Sequence, residues 1–170
     1  MTDDELMERA HSLLKTQKES FDGEAWQQAW ILGATETTLM SIDPAMMSSA
    51  HSKDLIAAAI REQARRLKAE AVLFFSDMWI GHQTPAQMAR TKSIELMQGK
   101  PLDLPEMARA GLTTQREALC VFVLQPKRTR HLAQFYRRTP DGRIIWEEEA
   151  DSGAHNATGR AWGRFVDIWG

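Results

Sequence analysis

Two runs of the chain are apolar at nearly every position: Ala71–Ile80, interrupted only by Ser76 and Asp77, and Ala118–Leu124. Successive side chains of a strand point to opposite faces, so a run that is apolar on both alternations predicts a strand covered on both sides. After the second run, Gln125-Pro126-Lys127-Arg128 marks a turn. The strand pattern resumes over Arg130–Arg138, turns at Thr139-Pro140-Asp141-Gly142, and returns over Arg143–Glu149. In that turn proline presets φ, aspartate can bond ahead to the backbone, and glycine accepts positive φ. The stretch Glu117–Glu149 therefore predicts a three-strand meander.

Upstream the period changes to that of a helix. Thr2 and Glu5 stand at capping-box spacing ahead of Leu6, Ala10, Leu13 and Leu14, which predicts an N-terminal helix. Phe21-Asp22-Gly23 breaks it. A second helix is expected over Glu24–Met40, with Trp26, Trp30 and Leu32–Gly33 on or near its buried side, stopped by Ser41-Ile42-Asp43-Pro44. A third is expected over Lys53–Ala69, capped by Ser52. Its apolar stripe is Leu55, Ile56, Ala59, Ile60, Ala64 and Leu67, and Arg61, Glu62, Arg65, Arg66 and Lys68 form a solvated face opposite. Gln83-Thr84-Pro85 reads as a loop, Ala86–Met97 as a short helix ended by Gly99-Lys100-Pro101, and Leu102–Gly111 has no clear period.

These elements predict an α+β fold: N-terminal helices plus a helix-covered four-stranded sheet, mixed or antiparallel, that ends in the meander. Its strands would be Ala71–Trp79, Ala118–Gln125, Arg130–Arg138 and Arg143–Glu149, with Lys53–Ala69 over one face. The expected organisation is a single domain over 1–170. Residues 1–50 would be a helical extension, 51–149 the body, and 150–170 a tail whose Trp162, Phe165, Val166, Ile168 and Trp169 dock on the body or on a second subunit.

Composition narrows this picture. A chain of 170 residues with 43% hydrophobic content can build a core without disulfides or a metal. Cys120 is the only cysteine, which excludes an intrachain bridge, and its apolar setting predicts an inert buried thiol. No apolar run reaches transmembrane length, and the start Met1-Thr2-Asp3-Asp4-Glu5 is acidic where a signal peptide is basic. A cytoplasmic protein with no membrane contact is expected. A net charge of −2 argues against a general nucleic-acid-binding coat. Six tryptophans and nine methionines suit interfaces, so self-association or a protein partner is expected.

The basic residues Lys127, Arg128, Arg130, Arg137, Arg138 and Arg143, with His131 among them, support two readings. One is a positive patch, with Tyr136 or Phe135 stacking on single-stranded nucleic acid. The preferred one is pairing of these charges across the hairpin with Glu147, Glu148 and Glu149. Asp77 and His82 mark a candidate cleft at the end of the first apolar strand. Asp77 with Gln125-Pro126-Lys127 would be a degraded form of the acid and acid–x–lysine arrangement of metal nucleases. Gln125 is a poor ligand for a hard cation, and Pro126 signals a strand that is ending, so this reading is remote. The histidines His11, His51, His82, His131 and His155 lack metal-site spacing, and the chain has neither a glycine-rich phosphate loop nor a G-x-S-x-G elbow. No cofactor, metal or catalytic residue is assigned.

The order of a helix, then Ala71-Val72-Leu73-Phe74-Phe75-Ser76-Asp77-Met78-Trp79, a variable loop, and Arg116-Glu117-Ala118-Leu119 opening a strand resembles a group of small uncharacterised bacterial proteins. Asp141-Gly142 fits the hairpin turn of that group. The resemblance covers roughly Leu55 to Glu149 and implies no activity. The expected function is a non-catalytic interaction or structural protein of bacterial or phage type, with homo-oligomerisation as one form of that interaction. The alternative is a nucleic-acid-associated protein using the hairpin Lys127–Arg143.

Overall fold

The computed structural model describes residues 1–151, 155, 156 and 169. Its elements run α1 (Asp3–Ser20), β1 (Gln27–Leu32), β2 (Thr37–Ile42), a 3-10 turn (Pro44–Met47), α2 (Ala50–Arg66) and β3 (Ala71–His82). They continue with α3 (Pro85–Gln98), α4 (Leu104–Arg109), β4 (Thr114–Gln125), β5 (Arg128–Arg138), β6 (Ile144–Asp151) and the two-residue β7 (His155–Asn156). The class is α+β, as the residue pattern implies.

The sheet is larger than the four strands expected. It runs β2-β1-β3-β4-β5-β6, antiparallel throughout, with β7 on β5. β3 and β4 are 12 residues each and pair from Val72↔Leu124 to His82↔Thr114. The meander is present, and Gly142 takes φ 82° in its second turn.

The helix expected over Glu24–Met40 is instead the β1–β2 hairpin. A helical face can be drawn through Trp26, Trp30 and Gly33, but the stretch also alternates as a strand. Gly33 N–H donates to Glu36 O at 2.8 Å across the turn, and β1 lies between β2 and β3. Pairing with the buried strand β3 outweighs a weak local helix preference. Trp26 is consequently 56% exposed rather than part of a buried helix face.

The two surviving long helices cover opposite faces of the sheet. α1 starts with the Thr2–Glu5 capping box and brings Leu6, Ala10 and Leu14 onto a core with Leu73, Phe75, Leu119, Val121, Val123, Leu132 and Tyr136. α2 is capped by Ser49 rather than Ser52. It buries Ile56, Ala57, Ile60 and Ala64 in a second core with Val72, Phe74, Cys120, Phe122 and Leu124. Leu55 and Ala59 fall outside this face; Leu55 is 57% exposed. Trp169 packs on the α2 side, whereas Trp162, Phe165, Val166 and Ile168 lie outside the described residues.

α3 and α4 fill the connection between β3 and β4. Leu102–Gly111, which lacks a legible period, contains α4, started by an Asp103–Glu106 capping box. α3 buries only Thr91 and ends at Gly99 in the left-handed conformation. Among the described residues no helix is long and apolar enough to cross a membrane.

Candidate functional site: a polar clamp at Asp77 and Tyr136

β3 loses one neighbour halfway along. Its pairing with β1 ends at Gln28↔Phe75, while its pairing with β4 continues to His82. Asp77 stands just past this step. It shares the α1 face with Phe75, because the two are separated by one strand period.

Register brings three more polar residues to it. Glu117 lies opposite Trp79 on β3 and opposite Tyr136 on β5, and Arg138 follows one period further on β5. The Tyr136 hydroxyl donates to Asp77 Oδ1 at 2.8 Å. Arg138 Nε donates to Glu117 Oε1 at 3.0 Å, and its Nη2 donates to Tyr136 Oη at 3.2 Å and to Gly23 O at 2.8 Å. Gly23 has φ 117°, and a Cβ there would stand 3.1 Å from Arg138 Nη1, so the loop after α1 needs glycine to approach this closely. Phe21 and Trp146 pack on the Tyr136 ring at centroid distances of 5.1 and 5.6 Å.

Burial pushes the Asp77 carboxyl above the usual range, against the opposing pull of the Tyr136 bond and the Arg138 charge. Burial and the bond to Asp77 push the Tyr136 phenol well above its own. Each of these groups bonds within the cluster. The phenol is held neutral, and the guanidinium is shared by a carboxylate, a carbonyl and the hydroxyl. The arrangement locks the loop after α1 onto the sheet. Its residue types were visible in the sequence, but the register that unites them was not.

His82 does not join Asp77. Five positions apart on one strand, they point to opposite faces. Nor does Gln125-Pro126-Lys127, because Gln125 follows Leu124, which pairs with Val72 at the other end of β3. Among the described residues no group of three or more His, Cys, Asp or Glu is arranged to hold a metal. The Cys120 thiol is buried and pushed up to about 12 by that burial, so it is not a nucleophile at neutral pH.

The basic residues of the hairpin are dispersed. β5 has 11 residues, about 35 Å of strand, with Arg128 at one end and Arg138 at the other. Arg137 and Arg138 face opposite sides. Arg128 pairs with Asp3 at 2.6 Å, Arg137 with Glu147 at 3.6 Å, Arg138 with Glu117, and Arg143 with Asp141 at 2.7 Å. Arg130 pairs with Asp151. Lys127 is exposed and has no ion pair among the described residues. The expected pairing with Glu147–Glu149 is realised in part: Glu147 and Glu148 both bind Arg116, which was not among the candidate residues, and Glu149 meets His11 at 3.2 Å. The Arg116 bond holds Glu148 at about 2. Tyr136 is 2% exposed and Phe135 lies under the Arg116 guanidinium at 4.0 Å, so neither ring presents a free stacking face.

The chain matches no family model, no curated protein and no solved structure among known proteins.

Proposed function

We propose that this is a non-catalytic interaction or structural protein, acting through association with itself or with another protein. The observation that carries this reading is how the charged groups are used. Asp77, Glu117, Tyr136 and Arg138 satisfy one another, and the hairpin arginines are matched to carboxylates along both faces of β5. Groups spent in this way stabilise a scaffold; among the described residues of this cluster and hairpin they leave no base, nucleophile or cation cluster aimed at a substrate. Exposed large apolar side chains add support: Met88, Leu96 and Met97 on α3 are 51, 76 and 80% exposed.

A labelled single-stranded oligonucleotide titrated into the full chain at low salt tests the reading. No binding is expected. Saturable binding that weakens with salt, and that is lost on reversing Arg130, Arg137 and Arg138 without loss of fold, would replace it with the nucleic-acid reading.

A further inference from the structure

The two outer edges of the sheet are defended unequally. β6 carries Glu147, Glu148, Glu149 and Asp151 within its 8 residues. Two such strands from different molecules would set carboxylate against carboxylate. β2, at the other edge, reads Thr37-Thr38-Leu39-Met40-Ser41-Ile42, with no charge and no proline. Its register with β1 is unbroken by any bulge, and Leu39 is 45% exposed. Charge, proline and bulges are the usual means of blunting a strand edge, and β2 has none of them.

The direction of its free backbone groups follows from the hairpin turn. The bond from Gly33 N–H to Glu36 O makes residues 33 and 36 a bonded pair. Antiparallel alternation then places bonded pairs at Ile31↔Thr38 and Ala29↔Met40. The N–H and C=O groups of Thr37, Leu39 and Ser41 therefore point away from β1. No hydrogen bond from a described residue reaches them.

We infer that β2 is the surface through which two copies of this chain pair, antiparallel about a two-fold axis at Leu39. The inference rests on the interaction reading above and names its partner. A second copy fits because the edge is self-complementary in this register. Leu39 meets the partner's Leu39, and Thr37 meets the partner's Ser41. Glu36 falls opposite the partner's Ile42 and Asp43 opposite the partner's Thr35, so the flanking acids avoid each other. The outward groups of the two strands exchange about six backbone hydrogen bonds, and the sheet continues through both molecules. The distal half of β3 is also open on one side among the described residues. It belongs to an inner strand, however, with β1 paired to the same side further along.

Light scattering and sedimentation of the full chain over a concentration series test this, with the variants Ser41→Pro and Leu39→Lys. The Ser41 N–H faces outward, so proline there removes no bond of the β1–β2 ladder. Lysine at the axis sets like charges together. The wild type is expected to move from monomer to dimer, and each variant to associate at least about tenfold more weakly, with a melting curve that matches the wild type at concentrations where both are monomeric. Amide exchange at Thr37, Leu39 and Ser41 should slow as the wild type dimerises. If Ser41→Pro fails to fold, Leu39→Lys decides. A wild type monomeric at every concentration overturns the inference. A dimer that survives Leu39→Lys without protection of these amides also overturns it, yet leaves the interaction reading standing. Oligonucleotide binding is the result that removes the reading itself.

Discussion

Phe75 and Trp79 stand on one strand and one face, two strand periods apart, yet Phe75 is fully buried and Trp79 is 55% exposed. Both are large aromatic residues in the same apolar run, so residue type does not explain the difference. Their neighbours do. Phe75 has β1 on one side, β4 on the other and α1 above it. Among the described residues Trp79 has β4 alone as a strand neighbour. Between them, Asp77 marks the point where the core on the α1 face ends and a polar clamp takes over, while Met78 and Ile80 still pack on the α2-side core. The first half of β3 is core on both faces; the second half keeps only its α2-facing side chains in the core and leads into the α3–α4 connection.

The largest test of this division is a pair of truncations. Phe75→Ala should cost about 3–5 kcal/mol in a urea titration, because a sealed site cannot refill the lost volume. Trp79→Ala should cost less than about 1 kcal/mol. Equal losses would mean that the two halves form one core.

A smaller effect is expected at the boundary. Tyr136→Phe removes the hydroxyl that donates to Asp77 and should destabilise the chain by about 1–3 kcal/mol. The loss should shrink when Asp77→Ala, which removes the acceptor, is combined with it, since the two residues are in direct contact.

Asp77 also predicts a pH dependence. Its carboxyl has a higher pKa in the folded chain than its ordinary value of 3.8, with burial as the chief cause. The folded state therefore binds this proton more tightly than the unfolded chain does. Its contribution to stability is greatest at low pH, declines as pH rises from about 3.8 through the raised value, and is level above it. Asp77→Asn keeps an acceptor for Tyr136 and removes this decline. Thermal melts across the acid range should show the variant gaining on the wild type as pH rises. A gain in the opposite direction would show that the Arg138 charge outweighs burial.

The smallest effect belongs to the α3–α4 connection. Leu96→Ser and Met97→Ser lie at positions 76 and 80% exposed and should each change stability by no more than about 0.5 kcal/mol. A large loss there would place α3 against part of the body.

Much of the fold was legible residue by residue. The capping box at Thr2 and Glu5, the Ile56, Ile60 and Ala64 part of the α2 stripe, Pro85 and Gly99 bracketing α3, the two apolar runs and the Asp141-Gly142 turn are all local signals, complete within a few positions. The β1–β2 hairpin was not legible, because Trp26 to Met40 satisfies a helical period about as well as a strand alternation. Only β3, some forty residues further along the chain, makes the strand form favourable by accepting β1 at its edge. The candidate site divides in the same way. That the arginines would be matched by carboxylates could be argued from a hairpin, but which carboxylate meets which arginine could not. Arg128 finds Asp3 at the start of the chain, and Arg138 finds Glu117 on β4.

Local signals in the chain settle where α1 and α3 begin, that β3 and β4 are buried strands and where the meander turns, because those preferences act between neighbours in the chain. Packing between distant segments decided the partners of Arg116, Arg128 and Arg138, the strand identity of β1 and β2, and the clamp at Asp77. Those outcomes depend on register between distant segments, and register is fixed only when all the strands compete for the same core.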